Sequence, residues 1–186
     1  MLFGACAAKG KKMWNSRGLR GSAFEEMITL TNQLYMQHGL AVVQKVPTPI
    51  TPIAVNNQAR EITRAYFGEK STVDFLGVAQ GLALCFDAKE TQNKNLPIRN
   101  IHAHQLAFMA AFEQQRGVSF LLVHFKLYGE VFFLPFAQLQ RFYEVAQGGG
   151  RKSIPYDAFD PALRVANNGG FPVHYLEAIN VWLAKN

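Results

Sequence analysis

Two charged residues close an otherwise apolar run. Leu82-Ala83-Leu84-Cys85-Phe86-Asp87-Ala88-Lys89 reads as a strand, and side chains on a strand alternate between faces. Cys85, Asp87 and Lys89 therefore share one face, and Phe86 and Ala88 the other. A second acid, Asp74, lies upstream in the segment Thr72–Val78, which reads as a neighbouring strand. Burying either charge alone is expensive, so the pair must meet a partner, a metal or solvent. Two readings fit. One is a plain surface ion pair, worth about 0–1 kcal/mol. The other is metal-assisted phosphodiester cleavage, in which carboxylates from adjacent strands hold a hard divalent cation through oxygen and the ammonium orients or activates the attacking water.

The elements that must position these groups follow from periodicity. Ser22 opens a helical pattern in which Phe24, Met27, Ile28, Thr31, Leu34 and Tyr35 form a broad apolar stripe, closed by Gly39 after His38. Leu40–Val46 reads as a strand. Pro47, Pro49 and Pro52 are poor inside regular structure, so Pro47–Asn57 is expected to be an extended excursion. Arg60–Gly68 reads as a short helix or a projecting strand. Thr72–Val78 and Leu82–Thr91 form a hairpin turning near Gln80-Gly81, followed by a polar loop over Gln92–Asn100. A helix over Ala103–Arg116, strands at Val118–Phe125 and Glu130–Leu134, a helix at Phe136–Val145 and a terminal helix at Val173–Ala184 complete the pattern. This order predicts an α/β fold with a mixed central sheet flanked by helices. No repeat and no second domain is indicated.

Composition sets the bounds. The 186 residues suit one domain with a sizeable core, and 15 Phe indicate a well-filled interior with room for an apolar dimer surface. The net charge of +6 favours an anionic partner. Residues 1–15 read as a mobile basic arm; Lys9, Lys11, Lys12, Arg17 and Arg20 occur before the first acid, a pattern equally suited to a solubilising tail. Cys6 and Cys85 form neither a disulfide framework nor a zinc cluster, which fits a reducing cytoplasm. Met1–Ala8 lacks a positive n-region, and no run of about 18 apolar residues predicts a membrane span.

Further blocks appear in order: Arg17-Gly18, Gly21-Ser22-Ala23-Phe24-Glu25-Glu26, Lys45-Val46-Pro47-Thr48-Pro49, Ala65-Tyr66-Phe67, Ser71-Thr72-Val73-Asp74, Phe86-Asp87-Ala88-Lys89-Glu90-Thr91 and His102-Ala103-His104-Gln105. Together they resemble the RecU-type Holliday junction resolvases of the PD-(D/E)xK nuclease superfamily, from about Ser16 to Ala184. The resemblance implies a restriction-endonuclease-like fold within residues 16–186, with a stalk-like insertion over about 47–70. It implies that Asp74 and Asp87 bind metal, that Lys89 is the motif lysine, that Glu25 completes the site and that Gln105 supports it. The bacterial pattern usually carries Glu where Asp87 stands, and basic residues where Asn56-Asn57-Gln58 stand.

Each implied role has an ordinary counterpart. Ser22-x-x-Glu25 is also a helix capping box. Gln105 is otherwise a helix-face amide, Cys85 a small buried hydrophobe, and His102 and His104 are solvated or close to DNA. Gly148–Gly150 with Arg151-Lys152 reads as a flexible basic loop, since no phosphate-loop spacing is present.

The expected activity is resolution of four-way DNA junctions by paired nicks, with magnesium as the ion and manganese as a substitute. A two-fold homodimer matches the symmetry of the junction. Lys45, Arg60, Arg64 and Lys70 would hold phosphates around the stalk, and Arg17 and Arg20 would extend the grip along the duplex arms. Arg60 and Arg64 as merely solvated charges is the plain alternative. Two rival functions are a nuclease acting on other DNA structures, and a junction-binding recombination factor with weak or lost cleavage. Protein partners in recombination are unspecified by the sequence.

Overall fold

The computed structural model describes residues 22–68 and 72–185. Its centre is a six-stranded mixed sheet in the order β1 (Val42–Lys45), β4 (Phe75–Ala79), β5 (Leu82–Thr91), β7 (Val118–Phe125), β8 (Glu130–Pro135) and β10 (Arg164–Val165). All neighbours are antiparallel except β5 and β7, whose parallel pairing requires a crossover. That crossover carries helix α2 (Ala103–Gln114).

Alternation along the strands builds two cores. Leu84, Phe86, Phe120, Leu122 and Phe133 face α1 (Ala23–Gln37) and α4 (Tyr175–Leu183). Cys85, Leu121, Val123, Phe132 and Leu134 face α2 and α3 (Phe136–Gln147). On the first face the rings of Phe75, Phe86, Phe120 and Phe133 form a continuous ladder across four strands, with centroids 4.9, 4.6 and 4.6 Å apart. Pairs of this kind each contribute about 0.5–1.5 kcal/mol beyond their burial. The ladder also pins register: Phe75 lies opposite Phe86, so the next residues along, Asp74 and Asp87, are brought side by side. Four of the 15 phenylalanines lie in this stack.

The hairpin between β4 and β5 turns at Gln80 and Gly81, with φ of 48° and 88°. Positive φ at both central positions is the mark of the type I′ turn, whose twist matches that of the strands. Strand β4 begins at Phe75, three residues later than the expected Thr72, because Asp74 uses its groups elsewhere.

Pro47–Asn57 is not a featureless excursion. Ile50–Asn56 (β2) pairs antiparallel with Glu61–Phe67 (β3) in a separate ribbon, exposed along its whole length. The Arg60–Gly68 segment is thus strand, not helix. Pro52 lies within β2 because each ribbon strand has an unpaired side and the ladder shifts register between Pro52 and Ala54. Asn56 Oδ1 accepts from the Gln58 and Ala59 N–H groups to close the tip, where Arg60 has φ 52°.

The polar loop expected over Gln92–Asn100 contains β6 (Asn95–Pro97), which pairs with β9 (Ser153–Pro155). Leu96, between Asn95 and Pro97, and Ile154, between Ser153 and Pro155, are fully buried there. Periodicity cannot register a single apolar residue of this kind. Helix α4 is tied to α1 by the Tyr175 hydroxyl donating to Asn32 Oδ1 at 2.6 Å and by Val173 N–H donating to Thr31 Oγ1. Among the described residues no helix is long and apolar enough to cross a membrane.

Candidate active site

Where the Phe75–Phe86 pair ends, side chains take over from the backbone ladder. The Asp74 N–H donates to Asp87 Oδ1 at 3.1 Å, and the Ala88 N–H donates to Asp74 Oδ2 at 2.9 Å. The Asp74 carbonyl meanwhile accepts the Val46 N–H just beyond β1. Three strands thus converge on two acids. Asp87 projects onto the α2 face of the sheet and is 0% exposed. Its Oδ1 also accepts from Gln105 Nε2 on α2 at 2.9 Å. Asp87 Oδ2 is ion-paired with the Lys89 ammonium and has no other partner among the described residues.

Gln105 is fixed at both ends of its amide. The Gln105 Oε1 accepts the His102 N–H at 3.3 Å, so Nε2 is the end presented to Asp87. The residue therefore caps α2 and supports the acid at once. His102-x-x-Gln105 has capping-box spacing, the sequence signal for this arrangement. No pattern of residue types announces the Ala88 N–H, which is backbone.

Electrostatics mark the pair. Burial, and secondly the charge of Asp87, push the Asp74 carboxyl up to about 7. The buried carboxylate of Asp87 and the half-buried one of Asp74 share a single ammonium, a deficit of positive charge that a divalent cation would offset. Asp87 Oδ2, buried and with the Lys89 ammonium as its one partner among the described residues, is an oxygen suited to such an ion. Among the described residues no group of three or more His, Cys, Asp or Glu is arranged to hold a metal. Two carboxylates with water completing the shell is a habit of magnesium, and among the described residues no nitrogen or sulfur set is arranged for zinc. The residues fit magnesium on that basis.

Glu25 stands apart from the two aspartates. It completes a capping box with Ser22, whose Oγ accepts the Glu25 N–H at 3.2 Å while the Ser22 N–H reaches Glu25 Oε1 at 3.4 Å. Its other oxygen pairs with Lys45 Nζ at 2.5 Å. Lys45, expected on DNA, is thus engaged with Glu25, although its side chain remains 39% exposed. Lys45 lies opposite Phe75, the residue after Asp74, and so shares the α1 face of the sheet with the Phe75 ring. The sequence held no sign of this pairing.

Arg60 and Arg64 lie on the exposed ribbon, with no ion-pair partner among the described residues. Arg17, Arg20 and Lys70 fall outside the described residues. Cys85 is buried and donates to Ser119 Oγ at 3.1 Å, and Ser119 Oγ in turn donates to the Met109 carbonyl. Cys85 is packing and network, as a small buried hydrophobe should be. His102 and His104 stack with centroids 5.4 Å apart at the start of α2.

Comparison with known proteins bears on this arrangement. The family model described as Recombination protein U matches residues 19–181. A Holliday junction resolvase RecU of Streptococcus agalactiae serotype Ia is 39% identical over 176 residues, covering 92% of this chain and 87% of its own. The RecU resolvase of Streptococcus oralis is 41% identical, with 86% and 82% covered, and that of Streptococcus sanguinis 43% identical, with 83% and 74% covered. Hjc, a Holliday junction resolvase of Archaeoglobus fulgidus, superposes with a TM-score of 0.44 at 11% identity, over 85% of this chain and 99% of its own. With the family model spanning Asp74, Asp87, Lys89 and Gln105, and such relatives matched over most of their lengths, the chain belongs to the Recombination protein U family.

Proposed function

We propose that the protein is a structure-selective endonuclease that resolves four-way DNA junctions by paired nicks in recombination and repair. It acts as a two-fold homodimer and depends on magnesium, with manganese able to substitute. The observation that carries this reading is the convergence of Asp74, Asp87 and Lys89 at one end of a packed sheet, in a member of a family of junction resolvases.

Asp74 and Asp87 would hold the cation, with Glu25 contributing through water. When bound, the ion supplies Lewis acidity toward phosphoryl oxygens and acidifies water. The chain's own groups do the rest. Gln105 and the Asp74 N–H hold the Asp87 carboxylate in one orientation. The Ala88 N–H does the same for Asp74. Lys89 Nζ, paired with Asp87, would offset charge developing on the phosphate and orient the attacking water. The exposed β2–β3 ribbon, with Arg60 and Arg64, would enter the open centre of the junction and read phosphates, not bases.

The deciding experiment is cleavage of synthetic four-way junctions, with duplex and flap controls, with and without magnesium. Symmetric metal-dependent nicks confined to the junction support resolution. Equal cleavage of plain duplex would replace it with a general nuclease, and binding without products would leave a junction-binding factor.

A further inference from the structure

The β6–β9 ribbon hangs between two parts of the candidate site. On one side, Thr91 ends the strand that carries Asp87 and Lys89, and its Oγ1 donates to the Asn95 carbonyl at 2.9 Å. On the other, the chain leaves β6 through Ile98–Asn100 and enters α2 at His102, three residues before Gln105 reaches Asp87. Leu96, Ile98 and Ile154 pack into the same core as Cys85, Leu121 and Val123, so the ribbon covers the sheet face onto which Asp87 projects.

This small sheet is unusually one-signed. No Asp or Glu occurs between Thr91 and Phe112, or between Val145 and Tyr156, whereas Lys94, Arg99, Arg151 and Lys152 fall in those stretches. All four are exposed, and none has an ion-pair partner among the described residues. Two hollows flank the ribbon. One, of about 600 Å³, is lined by Arg99 and Lys152 with Tyr143 and contains no acid. The other, of about 300 Å³, is lined by Lys94 and Arg151 beside Tyr128 and Tyr156, with Asp157 as its one acid. Lys152 also donates to the Ala146 carbonyl at the end of α3, so its role is partly structural.

We propose that the β6–β9 ribbon is a second phosphate-binding surface, which grips the duplex arm next to the nicked strand through Lys94, Arg99 and Arg151. It is distinct from the β2–β3 ribbon and rests on the reading that the substrate is DNA. The chain from Lys94 to Arg99 reaches at most about 17 Å. Over that length one strand of a duplex presents about five phosphates. Such contacts carry no base information; they set the register of the arm so that the nicked phosphodiester arrives at Asp74 and Asp87.

The test is equilibrium binding of fluorescently labelled duplex and four-way junction in EDTA, across a salt series. Arg99→Gln/Arg151→Gln is compared with Arg116→Gln/Arg141→Gln, which changes net charge equally but lies away from the ribbon. The ribbon variant should weaken binding of both probes roughly tenfold or more and flatten the salt slope by about 2, near 0.9 per phosphate lost. Arg99→Lys/Arg151→Lys should restore the slope, and the control should match wild type. A ribbon variant with the wild-type slope, or a control that flattens equally, overturns the proposal. The outcomes separate from those of the resolvase reading. A flattened slope in a protein that nicks no junctions keeps the ribbon and removes resolution; an unaltered slope in a protein that nicks junctions does the reverse.

Discussion

Gln105 Nε2 lies 2.9 Å from Asp87 Oδ1, and the same oxygen accepts the Asp74 N–H at 3.1 Å. A helix side chain and a strand backbone thus fix one oxygen of Asp87 and leave the other facing Lys89. Hydrogen bonds to a charged acceptor contribute about 1.5–3 kcal/mol. Gln105→Met keeps the volume and removes the donor. Nicking at limiting magnesium should fall about tenfold or more and the apparent magnesium requirement should rise, while junction binding in EDTA stays unchanged. A magnesium titration of nicking measures the first pair, and a gel shift the last. An unchanged magnesium requirement would reduce Gln105 to a helix cap.

Asp74→Asn separates chemistry from binding. It removes one of two neighbouring acids, the half-buried one, yet keeps an oxygen for the Ala88 N–H. Cleavage should be abolished, junction binding retained, and the melting temperature in metal-free buffer equal to or above that of wild type. Loss of binding together with cleavage would mean that Asp74 holds the fold or the DNA and that the metal reading is misplaced.

The β2–β3 ribbon offers the opposite dissociation. It buries nothing in this chain, with Ile53, Val55, Ile62 and Phe67 all exposed. Replacing Ile53–Glu61 with a short Gly-Ser turn should therefore leave the melting temperature of the sheet domain nearly unchanged. Preference for junction over duplex should vanish, as measured by competition binding. Retained preference would remove the ribbon from junction recognition.

How much of this was legible in the sequence differs by element. The Asp87–Lys89 face and the Gln80-Gly81 turn followed from period-2 alternation and turn chemistry, both local. The β2–β3 ribbon was half legible, because Pro52 argues against a strand until the partner strand and the shift beside it are known. The β6–β9 sheet was not legible: its burial rests on Leu96 meeting Ile154 from a distant part of the chain. In the site, Asp74 and Asp87 were recognisable as acids on neighbouring strands. The bonds that orient them come from the Ala88 and Asp74 N–H groups, and backbone donors leave no mark on residue type.

Glu113 supplies a pH signature at the Ser119 end of β7. It accepts the Ser119 N–H at 2.9 Å, and burial raises its carboxyl above the ordinary value of 4.5. A folded-state value above the unfolded one means that the folded protein holds this proton more tightly. The associated stability is present below about pH 4.5 and is lost as pH rises through the folded value. Glu113→Gln keeps the acceptor and abolishes the ionisation. Stability should match wild type near pH 4 and equal or exceed it at pH 7 to 8, by urea unfolding. A variant less stable at neutral pH by more than about 1 kcal/mol would mean that the charged carboxylate strengthens the Ser119 bond beyond its burial cost.

Glu25 is where capping and catalysis compete for one carboxylate. Its Oε1 reaches the Ser22 N–H only at 3.4 Å, while Oε2 is tied to Lys45, the residue opposite Phe75 on β4. Glu25→Gln preserves the capping oxygen and removes the charge. If the carboxylate serves the site through water, nicking should drop several-fold with little change in stability, because an exposed ion pair contributes about 0–1 kcal/mol. Glu25→Ala should add a capping loss of about 1 kcal/mol to the same fall in nicking. Equal nicking by Glu25→Gln and wild type, alongside a destabilised Glu25→Ala, would confine the residue to the start of α1 and leave the chemistry to Asp74, Asp87 and Lys89.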